Sequence, residues 1–393
     1  MNRRALIILI VVIVAVHGIL LWILFGLRSA TESAEQELAQ LKETEKTFPE
    51  EKPEEKPEKK PSGNTDTSRK GSGSASGPVA GPDASNYVRK PKKIPAVKFD
   101  YSGEKGRIKT DKFNLESRAT AGILIDMDTK KVLWSKNPTR QVPIASLTKI
   151  MTIMLSYEIA TDKTSPYTLD TMVPVTPEAI RTEASKVYFK EGEKFSIDDL
   201  LLAASVRSAN DAAHLLAEFL GRGNAANFIE DMNRRAKEIG MNDTVFFNAH
   251  GLPGKSKELD NHSTPEDLAR LCLVFHQYPH LMNLAGLRTA PFREKGSPGY
   301  QLLENHNNLL PGAKKATQGV NGIKTGFTNR AQCCLAASCE RSGHNLLAVV
   351  TGFPSSADRD NFTQILLDWG YEQIGVPKTP PSSAKKSSTN KSR

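Results

Sequence analysis

PIASLTKIMT, residues 143–152, sets a serine and a lysine three positions apart, Ser146 and Lys149, in an otherwise apolar decapeptide. Leu147, Ile150, Met151 and Met154 keep the i, i+3, i+4, i+7 spacing of one buried helix face. Residues three apart on a helix are neighbours, so Ser146 and Lys149 share a different face. A serine hydroxyl is a poor nucleophile until a base takes its proton. Lysine serves as that base only when burial or a second cation lowers its pKa from about 10.4 toward roughly 7–8. Ser146 also falls near the start of its helix, where backbone N–H groups and the helix dipole favour developing negative charge. Alone, S-x-x-K is too common a pattern to carry chemistry.

Outward from this stretch the chain alternates strand-like and helical patterns. TAGILIDMDTKKVLWSKN, residues 120–137, reads as a hairpin of two strands around a polar turn. Residues 198–220 read as a second helical region, with Ala212, Leu215, Leu216 and Phe219 on one face. VNGIKTGFT (320–328), QCCLAASCE (332–340) and NLLAVVTGF (345–353) read as strands, the last two joined by a turn at Ser342-Gly343. Phe362, Ile365, Leu366 and Trp369 mark a closing helix. Strands at both ends with helices between predict an α/β chain of the α+β type. One antiparallel sheet is built from the two ends, flanked by helices, with a mainly helical subdomain inserted.

The flanks differ in texture. Residues 5–25, ALIILIVVIVAVHGILLWILF, contain no Lys, Arg, Asp or Glu and are long enough to span a bilayer as a helix. The apolar run is longer than a signal-peptide core, so residues 1–28 are read as a cytoplasmic end and an uncleaved anchor. Arg3 and Arg4 keep the N-terminus in the cytoplasm, which puts the rest of the chain outside a cytoplasmic (inner) membrane. Residues 29–112 run from a Glu/Lys/Pro stretch into a Ser/Gly-rich one and read as a disordered linker. A flexible chain of about 80 residues reaches roughly 50 Å. The folded region is then 113–376, followed by a basic disordered tail, 377–393. Net charge is +9 over 393 residues, with basic excess in YVRKPKKIPAVK (87–98) and in the tail. On an exported, anchored protein these segments face an acidic envelope, not nucleic acid. Cys272, Cys333, Cys334 and Cys339 include no C-x-x-C pair and read as buried small hydrophobes, their redox state unassigned.

Two further motifs accompany S-x-x-K: Ser208-Ala209-Asn210 between helical stretches, and Lys324-Thr325-Gly326 in a predicted strand. S-x-x-K with S-D-N and K-T-G is the set found in class A β-lactamases and penicillin-binding proteins. With PIASLTKIMT, FFNAHGLP, STPEDLARL, NHNNLL, NGIKTGFT and WGYEQ, residues 115–375 resemble the D-alanyl-D-alanine carboxypeptidase family. These are low-molecular-mass penicillin-binding proteins with a β-lactamase-like, DD-peptidase fold. The resemblance implies that Ser146 attacks the carbonyl between two terminal D-alanines of a peptidoglycan stem peptide and that Lys149 takes its proton. It implies that Ser208 relays a proton to the leaving amine, and that Asn210 bonds the substrate amide. Lys324, Thr325 and Arg359 would face the terminal carboxylate, and Lys324 would help keep Lys149 neutral. Gly326 would admit the substrate backbone, and the N–H groups of Ser146 and Phe327 would form the oxyanion hole. β-Lactams would acylate Ser146. No cofactor or metal is implied, since H-E-x-x-H is missing.

The reading departs from the family at the C-terminus, where a polar tail stands in place of the β-rich domain and amphipathic anchor of many members. Motif residues do not separate a carboxypeptidase from an endopeptidase that cuts cross-links. No E-x-x-L-N block supplies the deacylating glutamate of a class A β-lactamase. A catalytically silent wall-binding protein would be expected to have lost a motif side chain. His250 and His306 invite a Ser-His-Asp reading, but no G-x-S-x-G elbow accompanies them. Gly254-Lys255-Ser256 fails as a phosphate loop because Ala249 holds the place of its first glycine.

Overall fold

The computed structural model describes residues 87–376, apart from 88, 93, 107, 109–113 and 184. The apolar run 5–25, most of the linker and the basic tail lie outside the described residues. Among the described residues no helix is long and apolar enough to cross a membrane.

The sheet has five strands: β1 (Ala121–Asp126), β2 (Val132–Lys136), β3 (Val320–Thr328), β4 (Gln332–Arg341) and β5 (His344–Phe353). Their order is β2-β1-β5-β4-β3, every neighbour antiparallel. The two ends of the folded region meet where β1 pairs with β5, Ala121 opposite Thr351. Period-2 alternation sends successive residues to opposite faces, and both faces are covered. Ile123, Ile125, Leu347 and Val349 face the core shared with the helical subdomain. Leu124, Leu346, Ala348 and Val350 face a second core closed by Phe362, Leu366 and Tyr371 of the final helix, Ser356–Gln373.

The helices of eight residues or more between the strands are α1 (Thr148–Thr161), α2 (Ile197–Val206), α3 (Asn210–Leu220), α4 (Ala225–Glu238), α5 (Pro265–Phe275) and α6 (Pro279–Gly286); the final helix is α7. α1 is their hub, packing on α2, α3, α4 and α5. The single apolar face read from the sequence is too narrow: Thr148 through Ser156 are all buried, Lys149 among them. A helix surrounded by other elements is buried on every side, so its polar residues need internal partners. The helical region 198–220 is broken at Arg207–Ala209, where Ser208 takes a φ of +60°.

Packing begins earlier than the compositional shift near 113 implies. Asp100 bridges Lys131 beside β2, Tyr101 donates to Glu266 (2.8 Å), and Ile108 is buried. Arg89 pairs with Glu238 (2.6 Å), and Arg235, fully buried, pairs with Glu158 (2.6 Å) and donates to the Lys92 carbonyl (2.7 Å). This segment is held by single polar and aromatic anchors spaced along an irregular strap, a pattern without periodicity. The four cysteines are buried and free.

Candidate active site

Ser146 occupies a 3-10 turn, Ala145–Leu147, that runs directly into α1. Ala145 has a φ of +46°, in the left-handed region that a side-chain-bearing residue rarely adopts. Two glycines from separate elements hold this turn. A Cβ on Gly251 would lie 2.0 Å from the Ala145 carbonyl oxygen, and one on Gly326 would lie 3.2 Å from the Ser146 nitrogen. Gly251 lets the loop at 248–253 approach the Ser146 turn where a Cβ would collide, and Gly326 lets β3 lie tightly against the Ser146 backbone. The loop is itself fixed by side chains. Asn248 Oδ1 accepts from the Gly251 N–H (2.6 Å), Thr152 Oγ1 donates to the Ala249 carbonyl (2.6 Å), and Asn261 Nδ2 donates to Thr148 Oγ1 (2.9 Å).

Lys149 Nζ reaches three oxygens: Asn210 Oδ1 (2.6 Å), the His250 carbonyl (2.7 Å) and Ser146 Oγ (3.0 Å). Burial, and then the charge of Lys324, hold its pKa well below the usual lysine value. A neutral amine has two N–H donors and one lone pair. Asn210 Oδ1 and the His250 carbonyl can only accept, so they take both donors. The lone pair is left for the one partner that has a proton to give, Ser146 Oγ–H. This geometry turns the lone pair of a neutral Lys149 amine toward the Ser146 hydroxyl, 3.0 Å away.

Asn210 opens α3, and its surroundings explain the break before it. Its backbone N–H donates to the Ser185 carbonyl (2.7 Å) and its Nδ2 to the Glu183 carbonyl (3.0 Å). Ser185 Oγ donates to the Arg207 carbonyl (3.0 Å). Asp211 accepts the backbone N–H groups of Val187 and Tyr188 (3.0 and 3.1 Å), its carboxyl pushed above the usual range by burial. Ser208 lines the cleft on this turn. No hydrogen bond joins it to Lys149 among the described residues, so the structure groups Ser146, Lys149 and Asn210 directly, with Ser208 in the same cleft.

Lys324 is buried on β3, its pKa lowered to about 7 by burial and by the neighbouring Arg359. Arg359 begins the second turn of α7 and is 4% exposed, not a surface arginine. Asp360 neutralises it at 2.6 Å, and its head still reaches the cleft. Thr325 and Gly326 line the same wall, followed by Phe327, which is 59% exposed. β3 pairs with β4 alone among the described strands, so its other edge faces the cleft. The cleft measures about 620 Å³. Among the described residues no cluster of three or more His, Cys, Asp or Glu is arranged to hold a metal ion.

Two contributors were not read from the sequence as site residues, the His250 main chain and Gly251. The His250 ring stays neutral, its pKa lowered to about 3, mainly by burial, and its Nδ1 accepts from the Leu252 N–H (3.2 Å). It is a strut whose carbonyl does the work. The signal available was the block NAHGLP, in which a glycine follows a histidine with no catalytic partner. His306 lines the cleft, its pKa lowered to about 4 by burial and by Lys324.

A serine on the turn leading into α1, with a lysine on its first turn, set beside a K-T-G edge strand is the arrangement of the penicillin-binding serine peptidase fold. The chain belongs to the D-alanyl-D-alanine carboxypeptidase family, whose model matches residues 108–355. It is 32% identical over 259 residues to D-alanyl-D-alanine carboxypeptidase DacF of Bacillus subtilis, covering 66% of this chain and 64% of the relative. It is 35% identical over 242 residues to a D-alanyl-D-alanine endopeptidase of Pseudomonas aeruginosa, covering 60% of this chain and 72% of the relative. Its structure is similar to ampicillin-bound penicillin-binding protein D2 from Listeria monocytogenes, with TM-score 0.56 and 30% identity over 65% of this chain and 98% of that one. The chain thus spans just under two thirds of the Bacillus relative's length.

Proposed function

We propose that this protein is a serine-type D-Ala-D-Ala carboxypeptidase that removes the terminal D-alanine from peptidoglycan stem peptides and is acylated by penicillins. The observation that carries the reading is the set of three contacts at Lys149 Nζ, which holds a buried amine of lowered pKa 3.0 Å from Ser146 Oγ. Lys149 takes the hydroxyl proton as Oγ attacks the carbonyl between the two D-alanines. The N–H groups of Ser146 and Phe327 receive the oxyanion. Ser208 carries the proton to the leaving amine, and the C–N bond breaks to leave an acyl-enzyme, which water then hydrolyses. Lys324, Thr325 and Arg359 hold the terminal carboxylate, matching charge to charge, while the substrate backbone adds to the free edge of β3. Asn210 reaches the substrate amide through the second lone pair of Oδ1, the first being occupied by Lys149.

The apolar run 5–25 is proposed as the anchor in the cytoplasmic membrane, with the catalytic domain outside it. The test is release of free D-alanine from a stem pentapeptide by the purified full-length chain, beside Ser146→Ala. Release by the parent chain alone supports the reading. Equal release by both removes Ser146 from it. The Pseudomonas endopeptidase relative supports a second reading, the same chemistry on a cross-linked amide.

A further inference from the structure

Two walls meet at Ser146, and each is built separately. One is the loop around His250, whose start is tied to the body of the domain through Asn248, Thr152 and Asn261. The other is the end of β3, where Phe327 and Thr328 line the cleft before the chain turns into β4. The Ser146 turn lies between them, against Gly251 on one side and Gly326 on the other. An oxyanion hole made by the N–H groups of Ser146 and Phe327 therefore has one donor on that turn and the other on a strand end. Such donors act only at the right distance from the developing charge, so what holds the strand end to the loop bears on the reaction.

Arg330, on the turn between β3 and β4, is that link. Its Nη1 donates to the Gly254 carbonyl (3.1 Å), the Ser256 carbonyl (3.0 Å) and Asp260 Oδ1 (2.8 Å). Among the described residues every hydrogen bond between this turn and the loop at 254–260 comes from Arg330. The Gly254-Lys255-Ser256 stretch, which fails as a phosphate loop, thus turns two main-chain oxygens toward a cation. The loop is shaped to present them. The Gly254 N–H donates to the same Asp260 Oδ1 (2.8 Å), and a Cβ on Gly254 would lie 2.5 Å from Leu259 Cβ, so the two arms of the loop touch. The Asp260 side chain is 6% exposed, which makes its pairing with Arg330 a charge-assisted bond out of water. Arg330 itself is outside the cleft lining.

We propose that Arg330 is a positioning residue for acylation. Its bonds to Gly254, Ser256 and Asp260 fix the end of β3 against the loop that backs the nucleophile, and so hold the Phe327 N–H in register with the Ser146 N–H. The inference rests on the acylation reading above and adds a residue that neither touches substrate nor takes a proton. Losing Arg330 slows the acylation step and leaves the affinity of the cleft unchanged. It also leaves the Lys149 base unchanged, because the His250 carbonyl sits in the part of the loop held by Asn248 and Thr152, ahead of the Arg330 contacts.

The experiment is stopped-flow reaction of the full-length chain with a fluorescent penicillin, which separates the binding constant from the acylation rate constant, run across pH and beside urea unfolding. The variants are Arg330→Met and Arg330→Met combined with Asp260→Asn. The single variant strands a buried carboxylate and is expected to lose stability as well as rate. The double variant removes both charges and keeps an acceptor for the Gly254 N–H, so its stability is expected to recover. Its acylation is expected to stay at least about tenfold below the parent chain, a part of the roughly 100–1000-fold that one oxyanion donor is worth. Its binding constant and the pH midpoint of acylation are expected to stay where they are in the parent. Acylation by the double variant within about threefold of the parent would show that the ion pair serves the fold alone, and a moved pH midpoint would place Arg330 on the base. Either result overturns the inference and leaves the peptidase reading standing. A parent chain that is not acylated at all overturns both.

Discussion

Gly251→Ala tests how the nucleophile is positioned without touching any side chain that does chemistry. Gly251 has a φ of +85°, and an added Cβ would lie 2.0 Å from the Ala145 carbonyl oxygen and 2.4 Å from its carbon, where real contacts essentially never fall below 3.0 Å. These are backbone atoms, so no rotamer change relieves the overlap, and the Ser146 turn must retreat by about 1 Å. A displacement of that size in a reacting group costs about 100-fold in rate. The left-handed backbone adds about 1–2 kcal/mol to the loss of stability. Gly296 supplies the control, since its φ is +90° and nothing lies within 4 Å of the Cβ it would gain. Gly296→Ala should lose the same 1–2 kcal/mol, roughly, and keep its acylation rate. The assay is the acylation rate with a fluorescent penicillin, read beside urea unfolding of both variants. If Gly251→Ala acylates within about threefold of the parent chain while folded, the glycine contact does not position Ser146.

Three further outcomes follow from the same geometry. Asn210→Asp places a carboxylate 2.6 Å from Lys149 Nζ in an isosteric frame; an opposite charge at that range raises a lysine pKa by roughly 1–3 units, so the rise of acylation with pH should move alkaline by that amount, and an unmoved profile would contradict Lys149 as the base. Lys324 has a folded pKa of about 7 against an ordinary 10.5, so the native state binds fewer protons than the unfolded one between those values. Its cost to stability is therefore full below about 7 and fades as pH rises toward 10.5, up to roughly 5 kcal/mol; Lys324→Met should stabilise the fold more at pH 6 than at pH 10, and equal gains at both would refute the linkage. Arg235→Met leaves Glu158 without its buried cation and Glu238 with Arg89 alone, so unfolding should become easier by about 3–5 kcal/mol, with penicillin acylation kept at low temperature; a chain of parental stability would mean the buried Arg235–Glu158 pair adds nothing.

The sheet was legible because its strands carry their own periodicity and turn chemistry. The hairpin at 120–137, the Ser342-Gly343 turn and the closing helix all fall where the pattern puts them. The Ser146–Lys149 pair was legible as neighbours, since a spacing of three is local. What escaped was non-local. Lys149's two acceptors, Asn210 Oδ1 and the His250 carbonyl, come from residues 61 and 101 positions away in sequence, and no spacing rule reaches that far. Helix α1 looked one-sided because Lys, Ser and Thr count as polar in any pattern, whereas a central helix buries them against internal acceptors. Residues 87–108 looked like linker because their anchors, Arg89, Asp100, Tyr101 and Ile108, are isolated in a Lys/Pro-rich stretch. Gly251 was hidden for a different reason: its role is the absence of a side chain, which a sequence records but does not explain.

The central claim is that the amine of Lys149 makes Ser146 the nucleophile. The most direct measurement is mass-spectrometric mapping of the full-length chain after reaction with a penicillin. The account predicts one adduct, on the peptide containing Ser146, missing in Ser146→Ala and slowed beyond detection in Lys149→Met. An adduct on another residue, or undiminished modification of a folded Ser146→Ala chain, would contradict it.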